Sequence, residues 1–160
     1  MKRFTAGKGA LVLLLCSFFL AACSPGNEAH QSRAANGDLR EETASVDVLP
    51  SFLDGQSEGV RLVYQAAALS GDLLSWIPCY CGCGESAGHE SSLHCFVHAY
   101  GEDGTVIWDD HGTRCGVCLQ IATEAIRLKQ EGKSVKEIRA YIDEKYRDGY
   151  ANPTPTPRPS

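Results

Sequence analysis

The sequence predicts a mainly α fold: a small three-helix domain carrying a Cys-rich loop and a short β-hairpin. Three observations lead there. Apolar residues recur at helical spacing in three separate stretches. A capping signature, Ser134-Val135-Lys136-Glu137, opens the last of them. Between the first and second lies Pro78-Cys79-Tyr80-Cys81-Gly82-Cys83, where cysteines alternate with other residues and no helical period survives.

The first helix is expected over residues 56–77. Val60, Val63, Tyr64, Ala67 and Ala68 give it a buried face, Ser70-Gly71-Asp72 interrupts it, and Pro78 ends it. Residues 82–92 read as loop. Residues 93–100 read as strand or as helix. The strand is preferred, paired with Thr105-Val106-Ile107-Trp108 across the turn Gly101-Glu102-Asp103-Gly104. The second helix is expected over 114–131, with Cys118, Ile121, Ala122, Ala125 and Ile126 inward and Gly132 as its stop. The third follows the capping box, buries Val135, Ile138, Tyr141, Ile142 and Tyr146, and stops at Gly149.

The ends are of different composition. Lys2, Arg3 and Lys8 precede an apolar run from Ala10 to Ala22, too short to span a bilayer. This reads as a signal peptide over 1–22. Its end, Leu20-Ala21-Ala22-Cys23, resembles the bacterial lipobox, which implies cleavage before Cys23 and diacylglyceryl modification of that thiol. More than one acyl chain makes such an anchor stable. Residues 23–49 are polar and read as a disordered tether, with His30 solvated in it. The folded domain is expected over 50–150. Residues 151–160, Pro-alternating, read as a solvated polyproline-like tail.

Charge narrows the function. The net formal charge is −5, and losing Lys2, Arg3 and Lys8 takes it to about −8. Neither value favours nucleic acid. No Ser-His-Asp spacing, phosphate loop or His-Glu-x-x-His occurs, so the sequence points to a binding protein rather than an enzyme.

The chain has eight cysteines. Cys16 leaves with the signal and Cys23 takes the lipid, which leaves Cys79, Cys81, Cys83, Cys95, Cys115 and Cys118. In an extended segment the first three would share one face. Cys115 and Cys118 fall at the start of a helix, where the dipole and free amides lower a thiol's pKa. At that spacing they can grip one ion or close one disulfide. His89, His94, His98 and His111 lie nearby in sequence, with His89 and His111 the preferred ligands and Asp109 and Asp110 as carboxylates holding His111. Trp76 and Trp108 flank the motif as shields. Soft thiolates with imidazoles suit Cu(I) first and Zn(II) second. Five or six thiolates exceed one tetrahedral ion, so several ions share sulfurs or some cysteines pair.

Two other readings stand beside metal binding. Cys115 and Cys118 suit a thiol-disulfide redox protein. Alternatively, the six cysteines form native bridges in a structural domain without chemistry. Against bridging, neighbouring cysteines at this spacing close strained rings.

The segments Trp76-Ile77-Pro78-Cys79-Tyr80-Cys81-Gly82-Cys83-Gly84, Gly88-His89, Ser92-Leu93, Cys95-Phe96, Trp108-Asp109-Asp110-His111-Gly112 and Cys115-Gly116-Val117-Cys118 together resemble the bacterial lipoproteins named for their PCYCGC motif. The resemblance runs from about Trp76 to Tyr146. It implies a lipid anchor and one shared site, and no activity. The helix from Gly132 to Tyr146 is also similar to the last helix of cytochrome c maturation proteins that reduce apocytochrome thiols, which adds to the redox reading. The expected protein is therefore lipid-anchored through Cys23 on the extracytoplasmic face of a bacterial membrane. There it would capture, buffer or transfer a soft metal ion, with a metal-donor or acceptor protein as partner.

Overall fold

The computed structural model of the chain describes residues 30–159. The expected signal peptide and Cys23 lie outside them. The fold is mixed α/β rather than mainly α. Strands β1 (Gln31–Arg33), β2 (Leu39–Thr43), β3 (Val97–Tyr100) and β4 (Val106–Asp109) form one antiparallel sheet in the order β1-β2-β4-β3. Five α-helices accompany it among the described residues: α1 (Glu58–Leu69), α2 (Gly71–Leu74), α3 (Cys83–Ala87), α4 (Gly116–Gln130) and α5 (Val135–Lys145).

The β3–β4 hairpin forms, but only Val97–Tyr100 of the expected 93–100 is strand, with Ser92–Cys95 a 3-10 turn; Val97 lies opposite Trp108, and the register shifts before Ala99. The capping box is also in place. Ser134 Oγ accepts from the Glu137 amide, and the Glu137 carboxylate accepts from the Ser134 amide. The first helix breaks at Ser70, leaving the short α2, and α3 occupies part of the expected loop.

Strands β1 and β2 overturn the expected tether over this span. Strand β2 pairs with β4 from Arg40–Asp109 to Thr43–Val106. Its inward side chains are polar, which conceals it from hydropathy. Buried Glu41 accepts from the Ser51 amide at 2.6 Å, from Ser51 Oγ and from Gln31 Nε2. Buried Thr43 accepts from Trp108 Nε1 at 2.8 Å. Every inward polar group has a partner, so its burial is tolerated.

The core gathers Tyr64 of α1, Phe96, Trp108 of β4, Leu74 of α2, Ile121 of α4 and Ile142 of α5. Tyr64 meets Phe96 edge-on, with ring centroids 5.1 Å apart, and its hydroxyl donates to the Asp109 carbonyl. Two aromatic expectations fail. Tyr141 is exposed on α5, and Trp76 is 37% exposed, so it neither joins the core nor shields a site.

The tail is docked rather than solvated. Its Thr–Pro alternation turns Thr154 and Thr156 inward and Pro153, Pro155 and Pro157 outward. The Thr154 amide donates to the Cys79 carbonyl, and the Cys79 amide donates to Thr154 Oγ1, both at 2.9 Å. The Ala151 amide donates to the Tyr80 carbonyl. Arg139 of α5 donates to the carbonyls of Trp76 and Pro157 and so ties the tail to the end of the first helical region. Thr154→Val keeps the shape and leaves the buried Cys79 amide unpaired. Unfolding free energy is expected to fall by about 1–3 kcal/mol, read as a lower urea midpoint. An unchanged midpoint would show that the tail does not hold the cysteine loop.

Candidate metal centre

The cysteine loop is built by three local constraints. Pro78 ends the helical region. Cys79 and Tyr80 are held extended by the tail. Gly82, at φ +88°, then turns the chain sharply, a conformation that favours glycine, and Cys83 opens α3. The segment is therefore not one strand with three sulfurs on a face. The sulfurs converge because the chain wraps around them, and Cys79, Cys81 and Cys83 lie within 4.8 Å of one another.

The second element arrives from the sheet. After β4, a 3-10 turn over Asp110–Arg114 leads into α4, with Cys115 as its N-cap and Cys118 in its first turn. Gly112 permits the close approach, since a Cβ there would stand 2.9 Å from the Cys95 carbonyl oxygen and 2.7 Å from the Phe96 ring.

All six sulfurs are unbridged. Cys79, Cys81 and Cys118 form a triangle with edges of 3.4, 3.5 and 3.5 Å. Cys83 and Cys95 stand 3.6 Å apart. Two imidazoles complete two lobes. His111 Nε2 faces Cys81 Sγ at 3.8 Å, giving a set of Cys81, His111, Cys115 and Cys118. His89 Nδ1 faces Cys95 Sγ at 3.6 Å, giving a set of Cys83, His89 and Cys95. Cys79 joins the two lobes, within reach of Cys81 and Cys118 of the first and of Cys83 and Cys95 of the second. Every predicted ligand is thus in one contiguous cluster. His94 and His98 are outside it.

The carboxylate behind the histidines is not one of the expected pair. Asp109 caps the 3-10 turn, accepting from the His111 amide and from Arg40. Asp110 accepts from the Leu39 amide and pairs with Arg114. The residue that holds His111 is Asp38, from the turn between β1 and β2. Its Oδ2 accepts from His111 Nδ1 at 3.1 Å and lies 3.9 Å from His89 Nε2. Arg114 pairs with the same carboxylate. The rings of His89 and His111 meet edge-to-face with centroids 4.8 Å apart. Sequence reasoning missed Asp38 because it lies 73 residues from His111, in a stretch without apolar pattern. Its one signal was the turn-forming Asn36-Gly37-Asp38.

The electrostatics divide the thiols. Cys79 is pushed down to about 4 by the Cys118 thiol beside it. Cys81 is also lowered, by Cys115, Cys118 and Cys79 around it. Cys118 is raised, by Cys115 first and then Cys79 and Cys81. His111 is raised to about 9 by Cys81, with Asp38 adding to this. His89 is lowered to about 4 by burial and by the charge of His111. The close thiols thus shift one another in opposite directions, and burial disfavours the charged form of His89.

The donor set fits metal ions. With metal–sulfur bonds of about 2.3 Å, two thiolates on one tetrahedral ion stand about 3.8 Å apart. The observed separations need only a slight opening. The His89 Nε2 atom is buried without a hydrogen-bond partner. A ligand on Nδ1 would fix the tautomer that carries a proton on Nε2, facing Asp38, as metal-bound histidines commonly do.

The family described as "Protein of unknown function with PCYCGC motif" matches residues 12–159. The chain belongs to this family. Comparisons with curated proteins and with solved structures found no match. The PCYCGC family description carries no activity, so the chemistry rests on the cluster itself.

Burial predicts the order of thiol reactivity in this PCYCGC domain. Cys81 and Cys115 are half-exposed, and the other four are buried. Iodoacetamide under native, metal-free, anaerobic conditions is expected to label Cys81 and Cys115 about tenfold faster than the rest. Peptide mass mapping reads the order. Equal rates at all six positions would contradict the arrangement.

Proposed function

We propose that this PCYCGC protein binds soft metal ions at the cysteine–histidine cluster, Cu(I) first and Zn(II) second, for capture, buffering or transfer. The observation that carries this is the convergence of six unbridged thiols and two imidazoles, one of them hydrogen-bonded to Asp38, into one contiguous set. One ion takes Cys81, Cys115, Cys118 and His111. A second takes Cys83, Cys95 and His89. Cys79 bridges the two. The shared Cys79 and the three-donor second set favour Cu(I), whereas the first set, three thiols and an imidazole, is also the donor number that closes a zinc site. Each thiol that takes an ion gives up its proton to solvent.

The test is titration of the full-length chain, purified anaerobically without chelator, with Cu(I) held by a weak chromogenic chelator. At least two equivalents are expected to transfer, with a thiolate-to-copper band rising in the near ultraviolet. The double variant Cys115→Ser/Cys118→Ser is expected to lose about one equivalent. No transfer to the wild-type chain would refute the reading, and preference for Zn(II) over Cu(I) would reverse the order of metals.

We infer further that the domain is held on the extracytoplasmic face of a bacterial membrane by lipid on Cys23. The basic start, the short apolar run and Leu20-Ala21-Ala22-Cys23 support this. Among the described residues no helix is long and apolar enough to cross a membrane. In detergent phase partitioning after expression in a Gram-positive host, wild-type protein is expected in the detergent phase. Cys23→Ser is expected in the aqueous phase or as uncleaved precursor. Wild-type protein in the aqueous phase would exclude the lipid.

A further inference from the structure

The two lobes of the cluster differ in access. Cys81 and Cys115 are half-buried, and both belong to the lobe that His111 completes, itself partly exposed. In the other lobe Cys83, Cys95 and His89 are all buried. The cavity of 270 Å³ beside His89 does not open that lobe. None of the six thiols lines it, Arg40 stands in its wall, and the two ring nitrogens of His89 face Cys95 and Asp38. Next to Cys83 the docked tail closes over the loop, where a Cβ on Gly84 would stand 3.4 Å from Thr154. Solvent therefore meets the sulfurs at Cys81 and Cys115.

Two three-sulfur sets cross between the lobes. One is Cys79, Cys81 and Cys83, and the other is Cys79, Cys95 and Cys118. Cys79 is common to both. Its sulfur stands 3.4 Å from Cys81 and 3.5 Å from Cys118. Its backbone is held at amide and carbonyl by Thr154, so the sulfur is fixed between its neighbours. An ion that keeps Cys79 can exchange Cys81 for Cys83, or Cys118 for Cys95, with three sulfurs in reach at each stage.

We propose that the half-exposed lobe is the exchange site and the buried lobe the store, and that Cys79 hands a Cu(I) ion from one to the other. This rests on the metal-binding reading above. Each step forms one copper–sulfur bond and breaks another. The thiol that takes the ion passes its proton to the thiolate that the ion has left. The ion keeps its charge, so no oxidant or reductant is needed. Cu(I) suits such a handover because it accepts two or three sulfurs.

Release from the wild-type full chain tests the assignment of lobes. The chain is loaded anaerobically with two equivalents of Cu(I) and mixed with excess strong chromogenic Cu(I) chelator. One ion is expected to leave at least about tenfold faster than the other, because the buried lobe opens to solvent only rarely. Iodoacetamide added after the fast phase is expected to label Cys115. A single phase for both ions, or Cys115 still protected after the first, would overturn the assignment. The handover is tested by Cys79→Ser, in which each lobe keeps its own donors. Its first ion is expected to load at the wild-type rate and its second on the order of tenfold more slowly. A wild-type rate for the second ion would remove Cys79 from the route. Refolding the variant with Cu(I) present bypasses the route and is expected to give two bound ions. One bound ion would make Cys79 an obligatory ligand of the store and overturn its role as carrier. The release measurement needs no variant, so it stands even if Cys79→Ser misfolds. Failure of the wild-type chain to bind Cu(I) is a separate result, which removes the metal-binding reading itself.

Discussion

The Asp38 carboxylate is the point on which the site turns. A buried carboxylate is costly unless paired and hydrogen-bonded. Asp38 meets that condition with Arg114, His111 and the Asn36 side chain at once, and it does so from a hairpin far away in sequence. Its pairing fixes the turn between β1 and β2 against the 3-10 turn that starts α4. That contact sets the distance from His111 to Cys81. It also brings a carboxylate oxygen to 3.9 Å from His89 Nε2, close to the second imidazole but without a hydrogen bond to it. Strand β2 is the means of delivery. Its pairing with β4 brings Leu39 to Asp110 and leaves Asp38 over the cluster. The sheet and the cysteine–histidine cluster are therefore built together.

Thiols pack as small hydrophobes, and here they are also core residues. Cys79, Cys83, Cys95 and Cys118 belong to the same buried cluster as Tyr64, Trp108 and Ile121. The aromatic contacts of Tyr64 and the capped α5 do not run through sulfur. A zinc finger lacks such a core and folds only with its ion. In the PCYCGC domain a proposed ion would have little folding work to do, so its binding energy would be available for retaining it. Preorganisation of this kind suits a protein that must accept ions and give them up without unfolding.

How much of this was legible in the sequence depends on the kind of signal. Helices α4 and α5 were read from period and caps, because their apolar faces and Ser134–Glu137 are local features. The candidate donors were read from residue type, because thiols and imidazoles are soft-metal ligands, and the same cysteines also carried the redox and disulfide readings. The polar strand β2 was not, because its inward Glu41 and Thr43 are satisfied by hydrogen bonds from distant groups and leave no hydrophobic alternation. The tail was misread for a related reason. Pro at every second position does favour an extended, unpaired backbone. Yet the residues between the prolines are threonines, and an extended chain turns them to one side, where Cys79 needs a donor and an acceptor. Composition predicted the solvation of the tail wrongly, since its backbone hydrogen-bonds to the cysteine loop. Asp38 and Arg114 could be assigned only once the register of β2 was known.

The geometry of the sulfur triangle also weighs on the redox reading. Cys79, Cys81 and Cys118 are nearly equidistant, so oxidation has no preferred pair among them. A disulfide needs sulfurs at about 2.05 Å, and closing any edge would leave the third thiol without its neighbours in a buried setting. A dithiol switch works best with two cysteines set apart from others, one of them exposed to attack. Here Cys115 and Cys118 are embedded in a set of four donors, and Cys118 is fully buried. An ion shared by three sulfurs uses the equidistance that oxidation would break. Outside the cytoplasm, where the proposed anchor would hold the domain, unliganded thiols tend to oxidise. Occupation by Cu(I) would convert that hazard into a reason for the motif's close spacing, because every sulfur lone pair that could attack a neighbour would instead be committed to metal.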